Sequence, residues 1–149
     1  MSDRIEKEIV INAPRSRVWK ALTDHEQFGQ WFGISLAGPF VAGQKVSGVL
    51  KIAEYANVSL SFHVDAVEPE RRFAYRWHPY PMDPEADYSK EEPTLVEFLL
   101  EDVPGGTRLA VTESGFDKVP AERRVMALQM NTRGWDIQLA NIQRHVQTT

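Results

Sequence analysis

PAERRVMALQMNTRGWDIQLANIQRHV, residues 120–146, decides the architecture. Leu128, Trp135, Leu139, Ile142 and Val146 fall on one narrow stripe when this stretch is wound as a helix. Pro120 and Glu122 suit its first turn, where an acid is also favoured by the helix dipole. At about 1.5 Å per residue such a helix is roughly 40 Å long. A rod of that length with one apolar face needs a broad surface to cover it. Asn131 and Thr132 interrupt the stripe near its centre, and Gly134 stands beside Trp135. Glycine in a helix interior is less stable than alanine by about 1 kcal/mol, and a buried polar group is unfavourable without a partner. Two readings are open. These positions face a cavity holding water or ligand, or Asn131 bonds a strand side chain while Gly134 lets helix and sheet approach closely.

The covering surface is found upstream as runs of strand length separated by turn residues. Val46, Gly48, Leu50 and Ile52 share one side of the first run after the early helices. Val58, Leu60, Phe62, Val64 and Ala66 share one side of the next, opposite Ser59, Ser61, His63 and Asp65. Phe73, Tyr75 and Trp77 alternate in the third, Val96, Phe98 and Leu100 in the fourth, and Leu109, Val111 and Glu113 in the fifth. Residues 5–13 add a strand at the start, with Ile5, Ile9, Ile11 and Ala13 on one face. No helix between neighbouring strands is long enough for a parallel crossover. The expectation is an α+β fold: a curved antiparallel six-stranded sheet packed on the long C-terminal helix. A twisted sheet curls away from a straight helix, so large inward side chains either line the gap or plug it.

Two short helices precede the main strands, one after Pro14 with Val18, Trp19, Ala21 and Leu22, the other with Phe28, Trp31 and Phe32 before Gly33. Between Trp77 and Thr94 four prolines forbid regular structure. A loop of that length, residues 78–93, reads as a lid, a binding loop or a disordered segment. As a lid, residues 79–93 are expected to be mobile, or ordered only with a ligand or a partner chain.

With 149 residues, 42% hydrophobic and 26% charged, the chain suits one domain over residues 1–149. The absence of cysteine excludes disulfides and thiolate chemistry. Net charge is -4 and no stretch concentrates Lys and Arg, which argues against nucleic acid. Arg71-Arg72 and Arg123-Arg124 read as solvated surface. No run approaches membrane-spanning length, and the start, Met1 to Glu6, has no signal-peptide core, so a cytoplasmic location is expected. His25, His63, His78 and His145 lack metal-ligand spacing, and Asp83, Glu85 and Asp87 lack a calcium-loop glycine. Ser114 is not in a nucleophile elbow. Neither metal nor cofactor is expected.

Ala13-Pro14, Val18-Trp19, Ala21-Leu22-Thr23-Asp24 and Trp31-Phe32-Gly33, then Glu113-Ser114-Gly115-Phe116 and Gly134-Trp135, resemble the START-like (SRPBCC) superfamily. The match is to its branch of activator of heat-shock-protein-ninety ATPase homologue-like domains. The resemblance implies a helix-grip fold, β-α-α-β5-α, with a hydrophobic cavity between sheet and final helix. Its relatives include lipid carriers, polyketide cyclases and aromatases, hormone receptors and chaperone-associated domains.

The first functional expectation is binding of a small apolar or aromatic molecule. Its cavity would be lined by Trp31, Phe62, Phe73, Tyr75, Trp77, Phe98, Glu113, Leu128, Asn131 and Trp135. The second is a cyclase or aromatase in which Glu113, Tyr75 or His78 moves protons. For Glu113 the alternative is a strand-end carboxylate bonded to backbone or to a nearby arginine. The third is a chaperone-associated role in stress response. A homodimer and a chaperone stay open as partners.

Overall fold

Alternation along the strands and the 3.6-residue stripe of the last helix produce the expected two layers. The computed structural model describes residues 4–52, 55, 58–83 and 86–148. The order is β1 (Ile5–Ile11), α1 (Arg15–Thr23), α2 (His25–Phe32), β2 (Ile34–Leu36), β3 (Lys45–Leu50) and β4 (Ser59–Glu68). It continues with β5 (Arg72–Trp77), β6 (Thr94–Val103), β7 (Gly106–Ser114), a 3-10 turn (Phe116–Lys118) and α3 (Ala121–Thr148). The strands lie in the order β1-β7-β6-β5-β4-β3-β2, every neighbouring pair antiparallel. This is an α+β, helix-grip-like fold. Met1 to Asp3 of the expected signal-free start lie outside the described residues. Among the described residues, no helix is long and apolar enough to cross a membrane.

The sheet has seven strands where six were expected. The addition is β2, which at three residues is too short for alternation to announce it. Gly33, at φ 87°, ends α2 and turns the chain into this strand. Gly48 on β3 admits it, because a Cβ there would stand 2.7 Å from the Ser35 carbonyl oxygen. Asp24 joins the two short helices, its side chain accepting from the backbone N–H of Glu26 (2.9 Å) and Gln27 (3.4 Å). Such a cap stabilises a helix by about 1 kcal/mol.

α3 runs for 28 residues and buries Ala127, Trp135, Leu139, Ile142 and Val146. Trp135 meets Phe98 edge-on at 5.6 Å between ring centroids. Beneath the middle of the sheet the hollow is filled by rings. Phe28, delivered by α2, lies 5.7 Å from Phe62 and 6.4 Å from Tyr75, and Phe40 lies 5.0 Å from Phe73. Phe62 and Tyr75 are 4.9 Å apart. Trp31 is held by its indole N–H, which donates to the Ala21 carbonyl at 2.8 Å. The large inward side chains therefore plug the centre of the gap. What space remains lies at one end of it.

Candidate functional site

That space is a cavity of about 550 Å³ between α3, the β3–β4 end of the sheet and the start of the proline-rich loop. Phe32 closes α2 against it, and Leu50, Ile52, Tyr55 and Leu60 form the sheet side. Trp77, His78, Tyr80 and Met82 carry the wall from the end of β5 into the loop. α3 contributes Met130, Asn131, Arg133, Gly134, Trp135 and Ile137. A Cβ on Gly134 would meet nothing within 4 Å, so this glycine serves no close approach of helix and sheet. It widens the cavity instead.

Directly behind the wall is Glu113, fully buried on β7. Its Oε1 accepts from Trp135 Nε1 at 2.9 Å and from Asn131 Nδ2 at 3.0 Å. Its Oε2 accepts from Trp77 Nε1 at 2.8 Å and from Thr94 Oγ1 at 2.6 Å. A carboxylate has about four lone-pair sites, and four neutral donor groups occupy them. Burial pushes the Glu113 carboxyl above its ordinary value, with the hydrogen bonds from Thr94, Trp77, Trp135 and Asn131 pulling the other way. Trp77, Asn131 and Trp135 also line the cavity. One carboxylate thus fixes three wall side chains in place, the kind of supporting contact that pre-organises a site. Trp77 and Trp135 stack at 5.9 Å with 28° between planes.

Of the residues expected around a guest, only Trp77, Asn131 and Trp135 reach the wall, joined there by His78. Trp31, Phe62, Phe73, Tyr75 and Phe98 are buried in the ring cluster, because α2 inserts Phe28 where the cavity was expected. Leu128 packs against the core from its flank. Glu113 is behind the wall, and its partners are the side chains of Asn131, Thr94 and both indoles rather than the backbone or arginine expected of a strand-end carboxylate. The Tyr75 hydroxyl is buried without a hydrogen-bond partner among the described residues. Burial, and secondarily the charge of Glu113, hold its pKa well above the usual tyrosine value.

Arg123 is not the solvated surface residue that its sequence suggested. Its guanidinium donates to the Glu91 carboxylate at 2.7 and 2.9 Å and to the Pro79 carbonyl at 2.8 Å. It also lies 4.8 Å from the centroid of the Tyr88 ring. His78 Nε2 is 3.0 Å from the Glu91 carbonyl. The loop expected to be mobile is therefore strapped to the first turn of α3, which sets the position of Tyr80 and Met82 in the wall. Arg72 pairs with Glu97 at 2.7 Å. Asp87 accepts from Ser89 Oγ at 2.6 Å, while Pro84 and Glu85 of the loop lie outside the described residues. Among the described residues, no group of acids and histidines could hold a metal ion.

Sequence reasoning missed Leu50, Tyr80, Met82, Met130 and Ile137 as wall residues. Met130 and Ile137 did carry a signal: they are one heptad apart, on the flank of the stripe beside Asn131 and Gly134.

Residues 12–147 match the family model described as Activator of Hsp90 ATPase homolog 1-like protein. No curated protein matches the chain. Among solved structures, protein MLL2253 from Mesorhizobium loti is 23% identical with a TM-score of 0.78, covering 98% of either chain. The Aha1 dimer from Colwellia psychrerythraea is 18% identical with a TM-score of 0.75, covering 99% of this chain and 98% of that one. DynU16, of the dynemicin biosynthetic locus, is 24% identical with a TM-score of 0.74. The match covers 99% of this chain but 48% of DynU16, so this chain spans about half its length. At these identities the likeness is one of fold.

Proposed function

The chain belongs to the Activator of Hsp90 ATPase homolog 1-like family, and on that premise we propose that it holds a small apolar or aromatic molecule in the cavity beside α3. The observation carrying this reading is the space of about 550 Å³ walled by Phe32, Leu60, Trp77, Met130 and Trp135. Sites for small organic molecules occupy about 300–1,000 Å³ and are mostly apolar with few polar groups. Burying apolar surface of the guest contributes about 25 cal/mol per Å² before the loss of its translational freedom is subtracted. Three wall residues are already locked by Glu113, which lessens the ordering that binding must impose.

The test uses N-phenyl-1-naphthylamine, a neutral dye that brightens on leaving water. Wild type binds it, and Gly134→Leu, whose side chain grows into the open space, weakens binding about tenfold or more. Undiminished binding by a folded Gly134→Leu protein refutes the site. A cyclase or aromatase needs a proton-moving group at the guest, and of Glu113, Tyr75 and His78 only His78 lines the cavity. The family description favours a second reading, service to an Hsp90-type chaperone. An unchanged chaperone ATPase rate on addition of the protein removes that reading.

A further inference from the structure

Within the proposed binding site, we infer that the guest is an organic anion, an aromatic or aliphatic carboxylate or sulfonate, whose charged group is held by Arg133. The inference rests on the cavity being the binding site and adds the chemistry of what enters it. The chain carries 21 Asp and Glu against 17 Lys and Arg, yet no acid among the described residues lines the cavity. Apart from the neutral phenols of Tyr55 and Tyr80, its ionisable groups there are Arg133 from α3 and His78 from the loop.

The Arg133 guanidinium has no hydrogen bond or ion pair among the described residues, whereas arginines elsewhere in the chain are spent. Arg15 pairs with Asp102 at 2.9 Å, Arg76 with Asp65 at 3.8 Å, Arg108 with Glu101 at 3.1 Å, and Arg123 with Glu91 at 2.7 Å. On a helix the partner for Arg133 would be an acid three or four positions away. Asp136 is that acid, and Lys7 of β1 takes it at 3.2 Å.

The amide and imidazole groups of the wall are engaged. Asn131 Nδ2 donates to Glu113, Gln138 Nε2 donates to the Phe32 carbonyl at 3.1 Å, and His78 Nε2 meets the Glu91 carbonyl. Arg133 alone keeps an unspent planar fork of N–H donors, the shape that carboxylates and sulfonates accept. Arg133 is exposed, which places it at the mouth. Glu113 lies behind Trp77 and Trp135 with its oxygens satisfied by four donors. A guest lying with its apolar body on the indoles and its anionic end outward keeps the two like charges apart.

Two dyes of matched skeleton test this: 8-anilinonaphthalene-1-sulfonate, which is anionic, and the neutral N-phenyl-1-naphthylamine. Arg133→Gln weakens the sulfonate dye about tenfold and leaves the neutral dye within about twofold. Arg133→Lys keeps part of the sulfonate affinity, and Arg108→Gln, the same change in net charge on β7, leaves both dyes unaffected. Rising salt weakens the sulfonate dye in wild type more than in Arg133→Gln. The inference is overturned if Arg133→Gln leaves the sulfonate dye unchanged, or weakens both dyes equally. If wild type binds neither dye, or Gly134→Leu releases neither, the cavity reading fails and this inference with it.

Discussion

Replacing Glu113 by Gln isolates the energetics of the buried carboxylate. Glutamine keeps the shape and one carbonyl acceptor but turns the other oxygen into an NH2 donor. With the carbonyl placed to serve Trp135 and Asn131, the new NH2 stands where Oε2 accepted from Trp77 Nε1 at 2.8 Å. An indole N–H can only donate, so that donor is orphaned. Thr94 Oγ1, at 2.6 Å from the same oxygen, can rotate and accept. Flipping the amide orphans Trp135 instead. One buried donor without a partner costs about 1–3 kcal/mol. The pH dependence has a definite sign. Burial raises the folded pKa of Glu113 above its ordinary value of 4.5, so the native state keeps a proton that the unfolded chain has lost. The resulting stabilisation is full below the unfolded pKa and disappears as pH rises through the folded one, at up to about 1.4 kcal/mol per pH unit. Glutamine does not titrate. The deficit of Glu113→Gln is therefore largest at low pH and narrows as pH rises. Urea unfolding of both proteins, from near pH 4.5 to about pH 8, reads this difference directly, because the other groups titrate alike in both. A deficit that widens with pH would show that the four donors outweigh burial, and the reasoning fails.

Gly134→Ala places a methyl group in open space within a helix interior, so calorimetry should show a gain of about 1 kcal/mol. Arg123→Gln removes the strap between loop and α3. Amides of residues 80, 82–83 and 86–92 should then exchange faster, while those of the buried face of α3 keep their protection. Exchange that is equal in the two proteins removes the strap from the account.

The frame of the fold was legible because its elements obey simple periods. β4 alternates from Ser59 to Glu68, and α3 repeats its apolar residues from Ala127 to Val146. β2 was not legible, since three residues carry no period and its place depends on the bare backbone of Gly48. The cavity was half legible for a different reason. Inward parity identifies Phe62, Phe73, Tyr75 and Phe98 as interior, but says nothing of what meets them from the opposite layer. Phe28 and Phe40 supply that answer from elsewhere in the chain. Glu113 and Asn131 were each readable as interior polar groups. That they satisfy one another, with two indoles completing the shell, depends on β7 and α3 lying together and is a property of the assembled layers.

The pairing of β1 with β7, from Ile5↔Glu113 to Ile11↔Thr107, has a consequence for biosynthesis. A nascent chain leaving the ribosome must extend by roughly a hundred residues before its first strand meets a permanent neighbour. Until then β1 is an unpaired ribbon with Ile5, Ile9 and Ile11 along one side, the type of edge on which other chains can nucleate. A polypeptide truncated before β7 would keep that ribbon open for good, and would be expected to clump rather than fold in part.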